Sequence, residues 1–423
     1  MIENTVQSLK MEREQPFCAY VYDLSKLRSH VNKIMTTLPS TCQLFYAVKA
    51  NSDETLLKTL APIVRGFEVA SLGEIEKVRA VDKKIPILFG GPGKTKEEIE
   101  GAIHHGVSFL HVESIYELQM VNHIASEKET TVSILLRVNL RRSVPNAQLK
   151  MAGVPTQFGI DEAEIPIAIA LAKSLPNIKI HGFHFHAMSN NVDSKTHADF
   201  VNHCFDRAET WEGKFDIDIS YINVGGGMGI NYKELEHQFN WDDFTKRLKK
   251  ILDKRNHSNW QVFFECGRYI TSSCGYYAVE ILDIKKNHGH YFCIIRGGSH
   301  HFRLPAAWKQ NHPFTIIPIE NWSYPFKRPE VNETLITVAG ELCTPNDVLA
   351  KEVFVSRLRV GDILLFSYAG AYGWSISHHD FLSHPHPEQL YIQIESINSS
   401  EGKLEETSDD GIHSFVDPLI LKG

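Results

Sequence analysis

The feature that most limits the fold is an alternation. Between residues 42 and 265, eight short apolar runs are separated by segments with the spacing of amphipathic helices. The runs are 42–48, 66–70, 85–90, 107–112, 131–138, 178–186, 219–224 and 260–265; helical patterns include Thr95–His104, Ser114–Ile124, Glu162–Ser174 and Trp241–Lys254. Strands buried on both faces read as continuous apolar runs, and helix-linked strands of this kind pair in parallel. Eight such units predict an α/β chain with a closed parallel (β/α)8 barrel; an open sheet with extra strands is the alternative. A strand over 17–23 and a helix over 24–38 precede the first unit.

The texture changes after about Cys274. Strand-like runs at 276–284, 291–295, 334–339, 351–359, 362–368 and 390–396 follow one another with few helices. Gly- and Pro-rich turns join them, which predicts an all-β domain. The stretch 305–331, rich in Pro, Trp and Asn, reads as a long surface loop, and the polar tail 398–423 as partly disordered.

A length of 423 residues is too great for one simple core, in keeping with two domains. The net charge of −7 gives no basic surface, which argues against a nucleic-acid partner. No apolar run approaches a membrane span, and residues 1–15 lack the apolar core of a signal peptide. Seven cysteines, an odd number without metal-ligand spacing, suit free thiols in a reducing cytoplasm. Cys18, Cys42, Cys204 and Cys293 stand in apolar contexts and read as buried filler.

A barrel of this type builds its active site at the C-terminal strand ends. Those ends carry Lys49, Ser71, Gly90-Gly91, Glu113, Asn139, His186, Gly225-Gly226-Gly227 and Glu265. The lysine is the most telling, because an unpaired ammonium at the end of a buried strand is costly. It either reaches the surface or a carboxylate, or it serves as a Schiff-base amine. Gly225-Gly226-Gly227-Met228-Gly229 lets backbone amides approach an anion after a late strand. Glu265, after three apolar residues, either pairs structurally with Arg268 or faces a ring nitrogen and keeps it protonated. In Phe183-His184-Phe185-His186 the two histidines share one side of the strand; His186 is the better candidate for stacking on a flat cofactor. The pair lacks an obvious third metal ligand. Cys343, in the turn Gly340–Asp347, reads as a reactive thiol, and Tyr372 in Gly370-Ala371-Tyr372-Gly373 offers a phenol. The histidines of Ser377–Pro387 match no zinc spacing and read as a polar substrate-lining loop, so no metal is expected. Gly91-Pro92-Gly93-Lys94-Thr95 has the look of a phosphate loop, but Leu88 stands where its leading glycine belongs.

Taken in order from Tyr20 to about Ile394, these motifs resemble the pyridoxal-phosphate decarboxylases of the alanine-racemase-like fold, the ornithine and diaminopimelate decarboxylase group. The segments that carry the resemblance are Tyr46–Ser52, Phe89–Thr95, His184-Phe185-His186 and Gly370–Asp380. Within the group they are most similar to the decarboxylases of staphyloferrin B siderophore biosynthesis. The resemblance implies a pyridoxal 5′-phosphate barrel over 24–274 and a β domain made of 1–23 and 275–423. It implies Lys49 as the residue that carries the cofactor, His186 stacked on its ring and Glu265 at the pyridine nitrogen. Ser189, Gly225, Gly226, Gly227, Gly267, Arg268 and Tyr372 would surround the phosphate, with Arg137 near the ring. It further implies a cytoplasmic homodimer with two shared sites, each reached by Cys343 from the partner subunit. One departure stands out: Thr344 occupies the place where diamine-forming relatives carry an acid, and Glu341 replaces a common proline. That argues against a substrate ending in a free amine. Arg303, with His301 and Thr344, would instead receive carboxylates, which suits a citryl-diaminopropionate. An ornithine- or diaminopimelate-type decarboxylase and a racemase on the same fold are the competing enzymes; a non-enzymatic cofactor-binding protein is the rival from another class, against which the whole β domain and Cys343 speak.

Overall fold

A computed structural model describes residues 2–141, 149–150, 154–255 and 260–393. Cys18–Asp23 forms β1. The eight expected barrel strands follow as β2 (Cys42–Ala47), β3 (Gly66–Val69), β4 (Ile87–Phe89), β5 (Phe109–Val112), β6 (Val132–Asn139), β7 (Ile178–His184), β8 (Tyr221–Asn223) and β9 (Gln261–Cys266). All pair in parallel in chain order, and β9 closes on β2 with Glu265 opposite Phe45. The barrel is therefore closed, not an open sheet. Most helices between strands begin where a short polar side chain can accept an otherwise unpaired amide. Asp23, Asp53, Ser71, Thr95, Ser114, Asp193 and Asn240 all do this, and Thr95 with Glu98 forms a reciprocal capping box.

The barrel interior is filled in layers because strand side chains alternate. Phe45, Leu88, Phe109, Tyr221 and Phe263 plug its lower half, with ring centroids such as Phe45–Phe263 and Phe109–Tyr221 4.8 Å apart. Two residues further along the same strands stand His111, Asn223 and Glu265, joined by Glu68 and His184. An apolar floor thus carries a polar layer directly above it, facing the C-terminal mouth.

The second domain is a mixed sheet. Its strands are β10 (Gly275–Asn287), β11 (His290–Ile295), β12 (Phe314–Ile317), β13 (Glu330–Ala339), β14 (Val348–Arg359), β15 (Ile363–Phe366) and β16 (Glu388–Ile392), ordered β12-β15-β10-β11-β13-β14. The N-terminal β1 joins it between β10 (antiparallel) and β16 (parallel). Two features depart from the sequence reading. The stretch 305–331 is not one loop: β12 lies inside it, paired with β15, and a short helix, Arg303–Trp308, opens it. Residues Ile2–Met11 form a helix that buries Val6 and Leu9 against Ile317 and Ile319. Its two buried side chains, three apart in a polar segment, give too weak a periodic signal to read alone. The strand expected over 390–396 is present as β16 up to Ile392; positions from 394 onward and the tail 398–423 lie outside the described residues. Among those described, no helix is long and apolar enough to cross a membrane.

Candidate active site

Lys49 sits in the turn Val48–Ala50 directly after β2. Its Nζ lies 2.8 Å and 3.1 Å from the two carboxylate oxygens of Glu68 on the neighbouring β3. The Lys49 side chain keeps 41% of its surface accessible although protein surrounds it densely, so it faces the open space of the barrel mouth. Burial works against its charge, but Glu68, helped by Tyr372 and Glu265, outweighs burial and raises the amine above its ordinary value. Burial also pushes the Glu68 carboxyl up. Glu68 escaped the sequence reading, which looked at strand ends. A charged residue inside a four-residue strand buried along its whole length was the available signal.

Glu265 does not pair with Arg268. Its Oε1 accepts from Asn223 Nδ2 at 2.6 Å, while His184 Nε2 lies 3.2 Å from its Oε2. Asn223 Nδ2 also reaches His111 Nε2 at 3.3 Å, and its Oδ1 accepts from Gly225 N at 2.9 Å. The two imidazoles lie one over the other, with centroids 4.0 Å apart. Burial, together with nearby cations, holds both well below the usual histidine range, so both are neutral. A third group of metal-ligand type is thus present beside His184: atoms of His111, His184 and Glu265 lie within 4.8 Å of one another. The overlapped rings of His111 and His184 and the Asn223 bonds to His111 and Glu265 already engage all three groups.

His186 shares the inward side with His184, while Phe183 and Phe185 pack outward on Trp211. Its Nδ1 accepts from Gly226 N at 3.2 Å, which fixes the ring edge-on to the glycine turn. Gly225 has φ +70, and a Cβ there would fall 2.5 Å from His186 Nδ1; one on Gly226 would fall 2.0 Å from Glu265 O. Gly227 continues the turn, and Ser189 lies alongside in a two-residue bridge, Met188–Ser189. Gly267, at the end of β9, packs against Ala50 beside Lys49.

Arg268 is buried, yet among the described residues it meets no carboxylate. Its Nη1 donates to Tyr232 Oη at 3.0 Å, and its guanidinium lies over the rings of Tyr372 (4.4 Å) and Trp308 (4.5 Å). Tyr372 is tied to the Lys49 turn through its N–H to Ala50 O at 2.8 Å. A buried cation without a counter-charge is costly, and an anion at this spot would relieve the cost.

Arg137 points inward from β6 and is held by Glu113 Oε1 at 2.6 Å. Glu113 also accepts the amides of Gly91 and Gly159. The Gly91–Thr95 segment is no phosphate loop: Lys94 is buried and committed to Gly91 O, His111 O and Glu117. The surface recesses beside Arg207 and Lys249 lie on the barrel's flank and floor, away from this layer.

Cys343 stands apart from these residues. It is exposed on a turn of the β domain, between β13 and β14. Asp347 holds that turn by accepting the amides of Leu342 and Ser299, and Glu341 binds Arg296 Nη1 (2.7 Å) and Gly297 N (2.9 Å). Thr344 closes the turn through its carbonyl to Asp347 N. Arg303 is exposed, and its guanidinium meets no carboxylate among the described residues; its backbone N–H donates to Ser377 Oγ of the histidine-rich loop. His301, by contrast, is fully buried against Cys18 and Tyr277 and presents no surface to a substrate within one chain.

The donor set fits pyridoxal phosphate. It offers an amine for the aldehyde, a buried carboxylate for the ring nitrogen, a neutral imidazole for the ring face, and an uncompensated guanidinium beside a glycine turn for the phosphate.

Residues 24–272 match the model of the pyridoxal-dependent decarboxylase family, pyridoxal binding domain. Over 392 residues the chain is 48% identical to the 2-((L-alanin-3-ylcarbamoyl)methyl)-2-hydroxybutanedioate decarboxylase of Staphylococcus aureus, covering 93% of this chain and 98% of that one. The diaminopimelate decarboxylase of Campylobacter jejuni is 29% identical over 88% of this chain and 89% of its own. Among solved structures, diaminopimelate decarboxylase from Helicobacter pylori complexed with L-lysine superposes with a TM-score of 0.81 at 26% identity, covering 92% of this chain and 94% of that one.

Proposed function

The chain belongs to the pyridoxal-dependent decarboxylases, and from that premise we propose that it removes the α-carboxylate of a citryl-diaminopropionate, leaving a citryl-ethylenediamine, within siderophore biosynthesis of the staphyloferrin B kind. The observation that carries the substrate reading is the pair Thr344 and Arg303. Where a free-amine substrate would need an acid beside Cys343 there is a threonine, and an exposed guanidinium that meets no carboxylate among the described residues stands at the start of the helix Arg303–Trp308. A planar guanidinium suits the carboxylates of a citryl group, which it can bind bidentately.

When bound, the cofactor supplies an electron sink conjugated to the substrate's α-carbon. Lys49 would hold its aldehyde carbon, and Glu68 would keep the Lys49 amine charged whenever that amine is free. Glu265 would hold a proton on the ring nitrogen, so that negative charge left by departing CO2 is drawn toward the ring. His186, neutral and fixed by Gly226, would cover one ring face and exclude water. Arg268, Tyr372, Ser189 and the Gly225–Gly227 turn would bind the phosphate. The exposed position of Cys343, on a turn of the β domain, supports a two-fold dimer in which it serves the partner's site and returns a proton to the α-carbon. Mass spectrometry of a citryl-diaminopropionate incubated with cofactor-loaded enzyme tests the reading: the product should have lost CO2. Arg303→Ala should raise KM for that substrate with little change in kcat.

A further inference from the structure

His184 has no assigned part in the site. It lies one strand-step below His186, 2% exposed, and neither ring nitrogen has a partner in hydrogen-bond geometry. A neutral imidazole always carries one N–H, and a buried donor needs an acceptor. The carboxylate oxygen within reach is Glu265 Oε2, 3.2 Å from Nε2. The other side of Glu265 is already settled. Asn223 spends both hydrogens of its amide, on Glu265 Oε1 and on His111 Nε2, and its own oxygen takes Gly225 N–H. That leaves His111 with its proton on Nδ1, turned toward Glu265 Oε1 at 3.7 Å, and packs its ring on His184.

We infer that His184 is a positioning residue for Glu265: its Nε2–H donates to Oε2, and with Asn223 on Oε1 it fixes the carboxylate in direction and holds its negative charge. The inference rests on Glu265 facing the cofactor's ring nitrogen. A donor on the carboxylate stabilises its charged form, so the shared proton stays on the ring nitrogen, where it strengthens the electron sink. Without His184 the proton moves toward Glu265 and the sink weakens. His111 acts as the backing ring that stops His184 from turning away.

The test uses the holoenzyme with cofactor labelled by nitrogen-15 in the ring. In His184→Phe, which keeps a flat ring and removes the donor, the ring-nitrogen shift should move toward that of an unprotonated pyridine. kcat should fall about tenfold with KM within about twofold. In His184→Gln, whose amide can reach the same oxygen, both should return toward wild type. An unmoved shift in a folded, loaded His184→Phe overturns the inference. Glu265→Gln separates it from its premise: a shift moved by Glu265→Gln but not by His184→Phe removes only His184, and a shift moved by neither removes the ring-nitrogen role of Glu265. Should His184→Phe fail to fold or load, wild-type enzyme labelled with nitrogen-15 histidine decides. It should show a neutral, Nε2-protonated histidine absent from His184→Gln, and an Nδ1-protonated one overturns the inference.

Discussion

Lys49 and Glu68 form an ion pair at the barrel mouth, with Nζ 2.8 Å from Oε2. One partner faces open space and the other is buried, so the pair joins the reactive amine to the wall behind it. Glu68 is what keeps the amine charged against burial. A charged amine does not attack an aldehyde, so the pair governs how the apoenzyme takes up its cofactor.

Glu68→Gln should therefore shift the pH dependence of cofactor uptake downward. Loss of the carboxylate leaves burial as the dominant influence, and the amine sheds its proton at lower pH. Stopped-flow absorbance of apoenzyme mixed with pyridoxal phosphate over a pH series reads this directly. A profile that stays in place, or moves upward, contradicts the role given to Glu68.

Lys49 is the lysine that should carry the cofactor, because it stands at a strand end beside the polar layer. Borohydride treatment of the loaded enzyme followed by peptide mapping should label Lys49. A label on Lys94, which is buried and fully engaged, would mean that the site has been misread.

Glu265→Gln should keep the cofactor and lose about a hundredfold or more in kcat. The phosphate contacts hold the ground state, whereas the carboxylate acts on charge that appears only as CO2 departs. An undiminished kcat in a fully loaded variant would refute this.

Much of this site could be read from strand ends alone. Lys49, His186, Glu265 and the Gly225 turn all sit where a barrel exposes its chemistry, and motif and fold agreed there. The second tier could not be read that way. Glu68 and His111 lie one step inside short strands and Asn223 ends one, and in each case an isolated polar residue gives no sign of its partners until the barrel closes. His184 was legible as inward-facing, but its neighbour Glu265 comes from a strand 81 residues further along the chain. The helix Ile2–Met11 and strand β12 were missed for a related reason. Each is defined by packing on distant residues, Val6 and Leu9 on Ile317 and Ile319, and not by a strong local pattern.

Two inactive proteins should restore activity when mixed, if each site is shared across a two-fold axis. Lys49→Ala lacks the cofactor lysine and Cys343→Ala lacks the thiol. After random subunit exchange about half of the dimers are hybrids, each with one intact site, so activity should return to about a quarter of wild type. If exchange is shown by native mass spectrometry and the mixture stays inactive, Cys343 does not serve the partner's site.

The most direct measurement is CO2 release from three substrates by the cofactor-loaded enzyme: a citryl-diaminopropionate, ornithine and diaminopimelate. With Thr344 in place of an acid and Arg303 open to carboxylates, kcat/KM for the citryl conjugate should exceed the other two by roughly a hundredfold or more. Equal or faster release from ornithine or diaminopimelate would contradict the account.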